Sequence, residues 1–208
     1  MTIRTDLDKT TRRGIRPITG ALVFATALFA VSLAGGMTSP ARAEQAGPPA
    51  QRSFVSVVRA YRIRYFDTYK IDKSDAGERL TSQRTARLCK QLGGPRFEGW
   101  SGHVLYVSRK GGKLTVQFEI APRVVLKVAS RGPAFGETKD TRVPMDSPLG
   151  KRLGKLHKGT KVLISGNFAR IGRTADCLYE TSVGMTDSFA EPHFLIELND
   201  IVPRGGTR

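Results

Sequence analysis

The sequence is poor in the residues that build chemistry. Its 208 residues hold two cysteines (Cys89, Cys177), three histidines (His103, His157, His193) and one tryptophan, Trp100. The histidines are scattered and no C-x-x-C or H-x-x-x-H spacing occurs, which argues against a zinc site. No G-x-S-x-G elbow, Walker loop or dinucleotide fingerprint is present. Ser165 lies inside a strand pattern, where a serine serves the backbone. Acidic residues number 18 against 34 basic ones, for a formal net charge of +16. Glu180, Glu191, Glu197 and Asp200 are not brought together by any spacing. These absences predict no catalytic residue, no metal and no cofactor, and place a hydrolase last among the function classes.

Long apolar runs are also scarce. Gly20 to Ala34 is the main one, 15 residues broken by Thr26 and Ser32, short of the roughly 20 that span a bilayer. A basic start (Arg4, Lys9, Arg12, Arg13, Arg16) precedes it and Ala41-Arg42-Ala43 follows. The pattern predicts a signal peptide over residues 1–43, cleaved near Ala43, with a retained anchor as the alternative. The pair Arg12-Arg13 fits twin-arginine export as well as an ordinary basic start. The mature chain, Glu44 to Arg208, would keep 28 basic and 16 acidic residues and no membrane-spanning segment. A periplasmic or secreted location follows. An even cysteine count there predicts one disulfide, Cys89–Cys177, closing 88 residues, against the alternative of two buried thiols.

Residues 44–52, with Gly47-Pro48-Pro49, read as a linker. Residues 53–95 read as a helical lead-in. Ser53 to Tyr69 carries Phe54, Val57, Val58, Tyr61, Tyr65 and Tyr69 at helical spacing, a packing face in preference to a stacking platform. Glu78 to Leu92 has Leu80, Leu88, Cys89 and Leu92 near one face, with Arg79, Arg84, Arg87 and Lys90 expected on its solvated side. Gly93-Gly94-Pro95 ends it.

Residues 96–202 read as a small barrel. Trp100 to Ser108 has period two, and Gly102 within it predicts a bulge or bend. Lys110-Gly111-Gly112 is a hairpin turn. Lys113 to Ile120 alternates with Leu114, Val116, Phe118 and Ile120 inward and Thr115, Gln117 and Glu119 outward. Val124 to Val128 is a third strand, with Val125 and Lys127 outward. A long polar connection, Ser130 to Ser147, leads to a helix opened by Ser147-Pro148 and carrying Leu149, Leu153 and Leu156. Gly159 then stops the chain before the strand Lys161 to Phe168, which contains Gly166. Cys177 to Ser182 is a further strand, Val183 to Pro192 a loop and Phe194 to Ile201 the last strand. Residues 203–208 read as a disordered tail. The fold class is mainly β with α: a five-stranded OB-like Greek-key barrel preceded by two helices, with Trp100, Gly102, Gly159, Gly166 and Phe168 as structural markers.

Trp100-x-Gly102-x-Val104, Ser147-Pro148-Leu149, Leu156-x-x-Gly159-x-x-Val162-x-x-Ser165-Gly166-x-Phe168, Cys177-x-x-Glu180-x-Ser182, Pro192-x-Phe194 and Asp200-Ile201 form an ordered set. With Arg84-x-x-Arg87-Leu88-Cys89 before it, the set resembles the exported bacterial proteins of OB-type fold grouped as tRNA-anti-like domains. The resemblance runs from about Ser53 to Ile201. It implies a five-stranded barrel with a helix between the third and fourth strands, and it implies no activity. The chain departs from the group at Ile196 and Leu198, where members often carry aromatics, and in the loop from Ser130 to Ser147.

Charge directs the functional expectation. Arg123, Lys127, Arg131, Lys139 and Arg142 gather around the long loop, and Lys151, Arg152, Lys155, Lys158 and Lys161 line the helix after it and its exit. The alternative is a solvated face. The sharper expectation is a non-enzymatic binding or interaction module, with an anionic envelope polymer or an acidic protein as partner. The runner-up is an oligonucleotide or oligosaccharide binder using the barrel face. Single-stranded nucleic acid calls for outward aromatics on the second and third strands, and there are none. Nucleic acid is therefore the less expected ligand.

Overall fold

The computed structural model describes residues 47–69, 76–131, 139–170 and 177–205. The expected signal segment, the middle of the long loop and the end of the expected tail lie outside them, as do the side chains of Tyr69, Ser130, Arg131 and Lys139. The described chain mixes helix and strand in the order α1 (Pro49–Tyr69), α2 (Ala76–Leu92), β1 (Arg96–Lys110), β2 (Lys113–Ala121), β3 (Val124–Val128), β4 (Ser130–Arg131), β5 (Lys139–Asp140), β6 (Val143–Pro144), α3 (Pro148–Leu153), β7 (Lys161–Phe168), β8 (Tyr179–Glu180), α4 (Met185–Ala190) and β9 (His193–Pro203).

Seven strands make one sheet. β1, β7, β9, β3, β2 and β6 follow one another, and β8 adds to β9. β1 also pairs with β2, so the hydrogen-bonded path from β1 through β7, β9, β3 and β2 returns to β1. Every pairing in that sheet is antiparallel except β3 with β9. The short β4 and β5 pair separately. β2 keeps the alternation of its sequence, with Leu114, Val116, Phe118 and Ile120 buried.

β1 does not keep its alternation. Its register slips between Phe97 and Trp100 against β7, and between Val104 and Tyr106 against β2. The slips flank Gly102 and do not fall on it. What Gly102 provides is clearance: a Cβ there would lie 2.7 Å from the Glu119 carbonyl oxygen. Gly166 does the same on β7, where a Cβ would meet the Glu197 carbonyl oxygen at 2.3 Å. Gly159, with φ 85°, turns the chain before β7. Ser165 Oγ accepts the Gly99 N–H at 3.0 Å, the backbone service expected of it.

One face of α1 enters the core. The Phe54 ring lies 5.2 Å from those of Trp100 and Phe168 and 5.1 Å from that of Phe194. Burying a side chain of this size contributes about 1.5–3 kcal/mol. The helix also starts earlier than expected, at Pro49, within the stretch read as linker. Proline suits the first helical turn, and Gln51 has a buried task that holds the turn in place. Its Nε2 donates to the carbonyls of Ser101 (2.7 Å) and Ile120 (2.9 Å), and its Oε1 accepts the Ser101 N–H at 2.8 Å. The β1–β2 register begins at His103 and Glu119. Gln51 therefore closes the ladder where the two strands part.

α3 opens as expected, with the Ser147 side chain accepting the Gly150 N–H and proline in the first turn. Other expectations are corrected. Arg84 is buried, with 1 % of its surface exposed, and is not on a solvated face. It shares the inward stripe of α2 with Leu80 and Leu88, spaced four residues apart. The strand expected from Cys177 to Ser182 is confined to Tyr179–Glu180, and the loop after it contains α4. Phe189 of α4 stacks on Tyr65 of α1 with ring centroids 4.2 Å apart. Val125, expected outward, is buried. The last strand runs on to Pro203. Cys89 and Cys177 stand at disulfide distance, their Cα atoms 5.4 Å apart.

Candidate ligand-binding groove

Three strands set out the groove. His103 of β1 is the register partner of Glu119 on β2 and of Lys161 on β7. Directly opposed residues share a face of a sheet, so the three form one row across it. Glu119 is committed on both oxygens: Oε2 lies 2.9 Å from His103 Nε2, and Oε1 accepts the Arg123 N–H at 2.8 Å. The Arg204 N–H donates to the Lys161 carbonyl at 2.8 Å, which sets Arg204 beside Lys161 at the end of β9. Gly102, His103, Glu119, Lys161 and Arg204 line a depression of about 440 Å³.

A second depression, about 590 Å³, runs beside α1 and is lined by Arg52, Ser56, Arg59, Ile63, Ile120 and Ala121 among others. The two share Ile120 and Ala121 and are bridged by the bonds of Gln51 to Ser101. A third, of about 370 Å³, holds Tyr106, Arg109, His157 and Lys158. Tyr106 is 49 % exposed. The slip after Val104 turns it outward, opposite Gln117, which in turn faces Lys127 on β3.

The expected basic residues are placed as follows. Arg123 occupies the β2–β3 turn with φ 63°. Lys127 lies in mid-β3, partly buried. Arg131 and Lys139 are register partners in the β4–β5 ribbon. Arg142 is bound to Asp140 through both Nε and Nη2, each at 2.9 Å. Arg152 pairs with Asp200 at 2.8 Å, whereas Lys151 and Lys155 are exposed on and after α3. Arg123, Lys127, Arg142, Lys151, Arg152 and Lys155 line none of the three depressions described above, whereas Lys161 lines the first and Lys158 the third. The hydrogen bonds from Arg142, and then from Lys113, hold the Asp140 carboxyl well below the usual carboxylate range.

Chemically, the row around His103 combines an oriented imidazole–carboxylate pair with two cations. Among the described residues no group of three His, Cys, Asp or Glu side chains could hold a metal ion. No described helix is long and apolar enough to cross a membrane. His103, Glu119 and Arg204 were outside the expected basic surface, although the outward position of Glu119 on β2 was readable. Comparisons with protein-family models, curated proteins and solved structures found no match.

Proposed function

We propose that the chain is an exported, non-enzymatic binding module of OB-like fold, whose ligand is an anionic envelope polymer or an acidic protein held in the His103 groove. The carrying observation is the state of the charges there. The one carboxylate in the row, Glu119, is engaged on both oxygens. Among the described residues Lys161 and Arg204 have no carboxylate at ion-pairing distance. The groove thus offers positive charge with its acidic member already bonded. The barrel reading is supported by the path of pairings that returns to β1, by the parallel β3–β9 pair, and by α3 lying between β3 and β7 in the chain. These features agree with the tRNA-anti-like group, and the paired cysteines agree with an oxidising compartment.

Binding of the full chain to a sulfated polysaccharide tests the proposal. Between about 0.1 M and about 1 M salt the screening length falls from about 10 Å to about 3 Å, and binding should weaken steeply. The double change Lys161→Glu and Arg204→Glu should weaken it at least about tenfold. Reversal of Lys151, Arg152 and Lys155 should do less. Salt-independent binding, or binding indifferent to Lys161 and Arg204, would refute the assignment.

A second reading rests on Tyr106. An exposed ring with Gln117 and Lys127 in the same row supports an oligosaccharide or oligonucleotide on this face, since rings stack on sugars and bases alike. Loss of oligosaccharide binding in Tyr106→Ala, with Lys161 and Arg204 intact, would favour it.

A further inference from the structure

We infer that the partner is a protein, and that it presents an acidic segment with alternating apolar side chains to a trench running from α1 to the His103 groove. The inference rests on the anion-binding reading above and adds the identity of the ligand.

The geometry begins with α1. Phe54, Val58 and Tyr65 face the core. Arg52, Ser56, Arg59 and Ile63 recur at spacings of three and four, which puts them on one side of the helix and along the wall of the 590 Å³ depression. Ile63 is 63 % exposed, a large apolar side chain standing in water. Ile120 and Ala121, at the end of β2 and bonded to α1 through Gln51, supply further apolar lining to the same depression. Those same two residues border the His103 groove, so the trench continues to Lys161 and Arg204.

The trench therefore combines apolar side chains (Ile63, Ile120, Ala121) with cations (Arg52 and Arg59 on α1, Lys161 and Arg204 in the groove). α1 carries Arg52, Arg59, Arg62 and Arg64 against a single acidic residue, Asp67. A polysaccharide or a free anion would use the cations and leave Ile63, Ile120 and Ala121 unused. A peptide satisfies both. Side chains of an extended strand alternate in direction, so every second residue can meet the apolar wall while carboxylates between them meet the arginines. From Arg52 to Ile63 the helix rises about 17 Å, which about five extended residues cover. Ten extended residues, about 33 Å, run beyond the helix wall towards the groove of Lys161 and Arg204.

Two labelled decapeptides test this with the full chain, one alternating Glu and Leu, the other alternating Glu and Ser at the same charge. The Glu-Leu peptide should bind at least about tenfold tighter. Ile63→Ser should remove that advantage. Ala60→Trp, which fills the trench from an exposed helical position, should weaken the Glu-Leu peptide by at least as much if Ile63→Ser disturbs folding. Lys161→Glu with Arg204→Glu should weaken both peptides. Equal binding of the two peptides overturns the inference; if the charge reversal still weakens both, the anion-binding reading survives. Sulfated polysaccharide binding without peptide binding has the same meaning. Self-association that disappears in Ile63→Ser would make a second copy the occupant and overturns the inference. No binding by peptide or polysaccharide overturns both.

Discussion

At the α2–α4 corner and in the groove a basic side chain meets a glutamate, and these two pairs do opposite work. At the α2–α4 corner Arg84 is 1 % exposed and Glu180 14 % exposed. Arg84 Nη2 donates to Glu180 and to Ser188 Oγ, its Nη1 donates to the Ser188 carbonyl at 2.7 Å, and its guanidinium lies 4.5 Å over the Phe189 ring. Burial pulls the Arg84 pKa down while Glu180 pushes it up. In the groove, His103 and Glu119 are 42 % and 23 % exposed and water shares the work of solvating them. The buried pair fixes where α2, β8 and α4 meet. The surface pair orients an imidazole beside cations that stay available. Removing one member of a buried pair strands a charge, whereas removing one member of a surface pair releases a charge to water.

The largest test of that contrast compares two glutamates. Glu180→Ala should destabilise by about 3–5 kcal/mol, because it leaves the Arg84 guanidinium buried without its counter-ion. That is a large part of the 5–15 kcal/mol typical of a domain. Glu119→Ala should cost less than about 1 kcal/mol. Urea unfolding of both variants decides the matter. Equal losses would mean that the corner pair is as well hydrated as the groove pair, and the division of labour would fail.

A second test separates the two fasteners of the corner. Cys89 and Arg84 both lie on α2; Cys177 and Glu180 both lie on the segment that leads to α4. Reduction of the disulfide, or Cys89→Ser, should lower stability by about 2–4 kcal/mol, since the bridge closes a long loop in the unfolded chain. The effect should be visible as a lower urea midpoint with reductant, with little change in groove binding. A midpoint indifferent to reductant would show that the sulfurs are not joined in solution.

The corner and the groove also differ in how far the sequence revealed them. Local patterns were readable. β2, the cap at Ser147 and the cysteine pair follow from alternation, from a hydroxyl before proline, and from an even count. Arg84 was misplaced because charge on a helix suggests solvent, and its counter-ion lies 96 residues away. Only tertiary structure brings Glu180 to it. The groove was missed through a one-residue slip. Counting back from the Lys110–Lys113 pair sets His103 against Ile120; the slip after Val104 moves it to Glu119 and turns Tyr106 outward. Lys161 was within the basic run noted from sequence, but its neighbours across β1 depend on that register. α4 was hidden because Phe189 and Met185 gain their apolar partners from α1 and α2.

The smallest effect is expected where a surface pair is best built. Asp140 accepts bonds from Arg142 and from Lys113 Nζ, the latter at 2.9 Å, and its carboxyl stays 30 % exposed. Its folded pKa lies below the ordinary value of about 3.9 for an unfolded chain. A depressed acid stabilises the fold above the unfolded pKa, and the contribution disappears as pH falls through the folded value. Asp140→Asn should therefore cost a few tenths to about 1 kcal/mol at pH 7, discounted for solvent screening. The gap between variant and parent should narrow below about pH 4. It should also shrink at high salt, unlike the loss in Glu180→Ala, which screening reaches poorly. Urea unfolding midpoints at pH 7 and at about pH 3 supply the measurement. A gap that widens in acid would mean that Asp140 is protonated in the folded state, and that Arg142 belongs with the free cations of the surface.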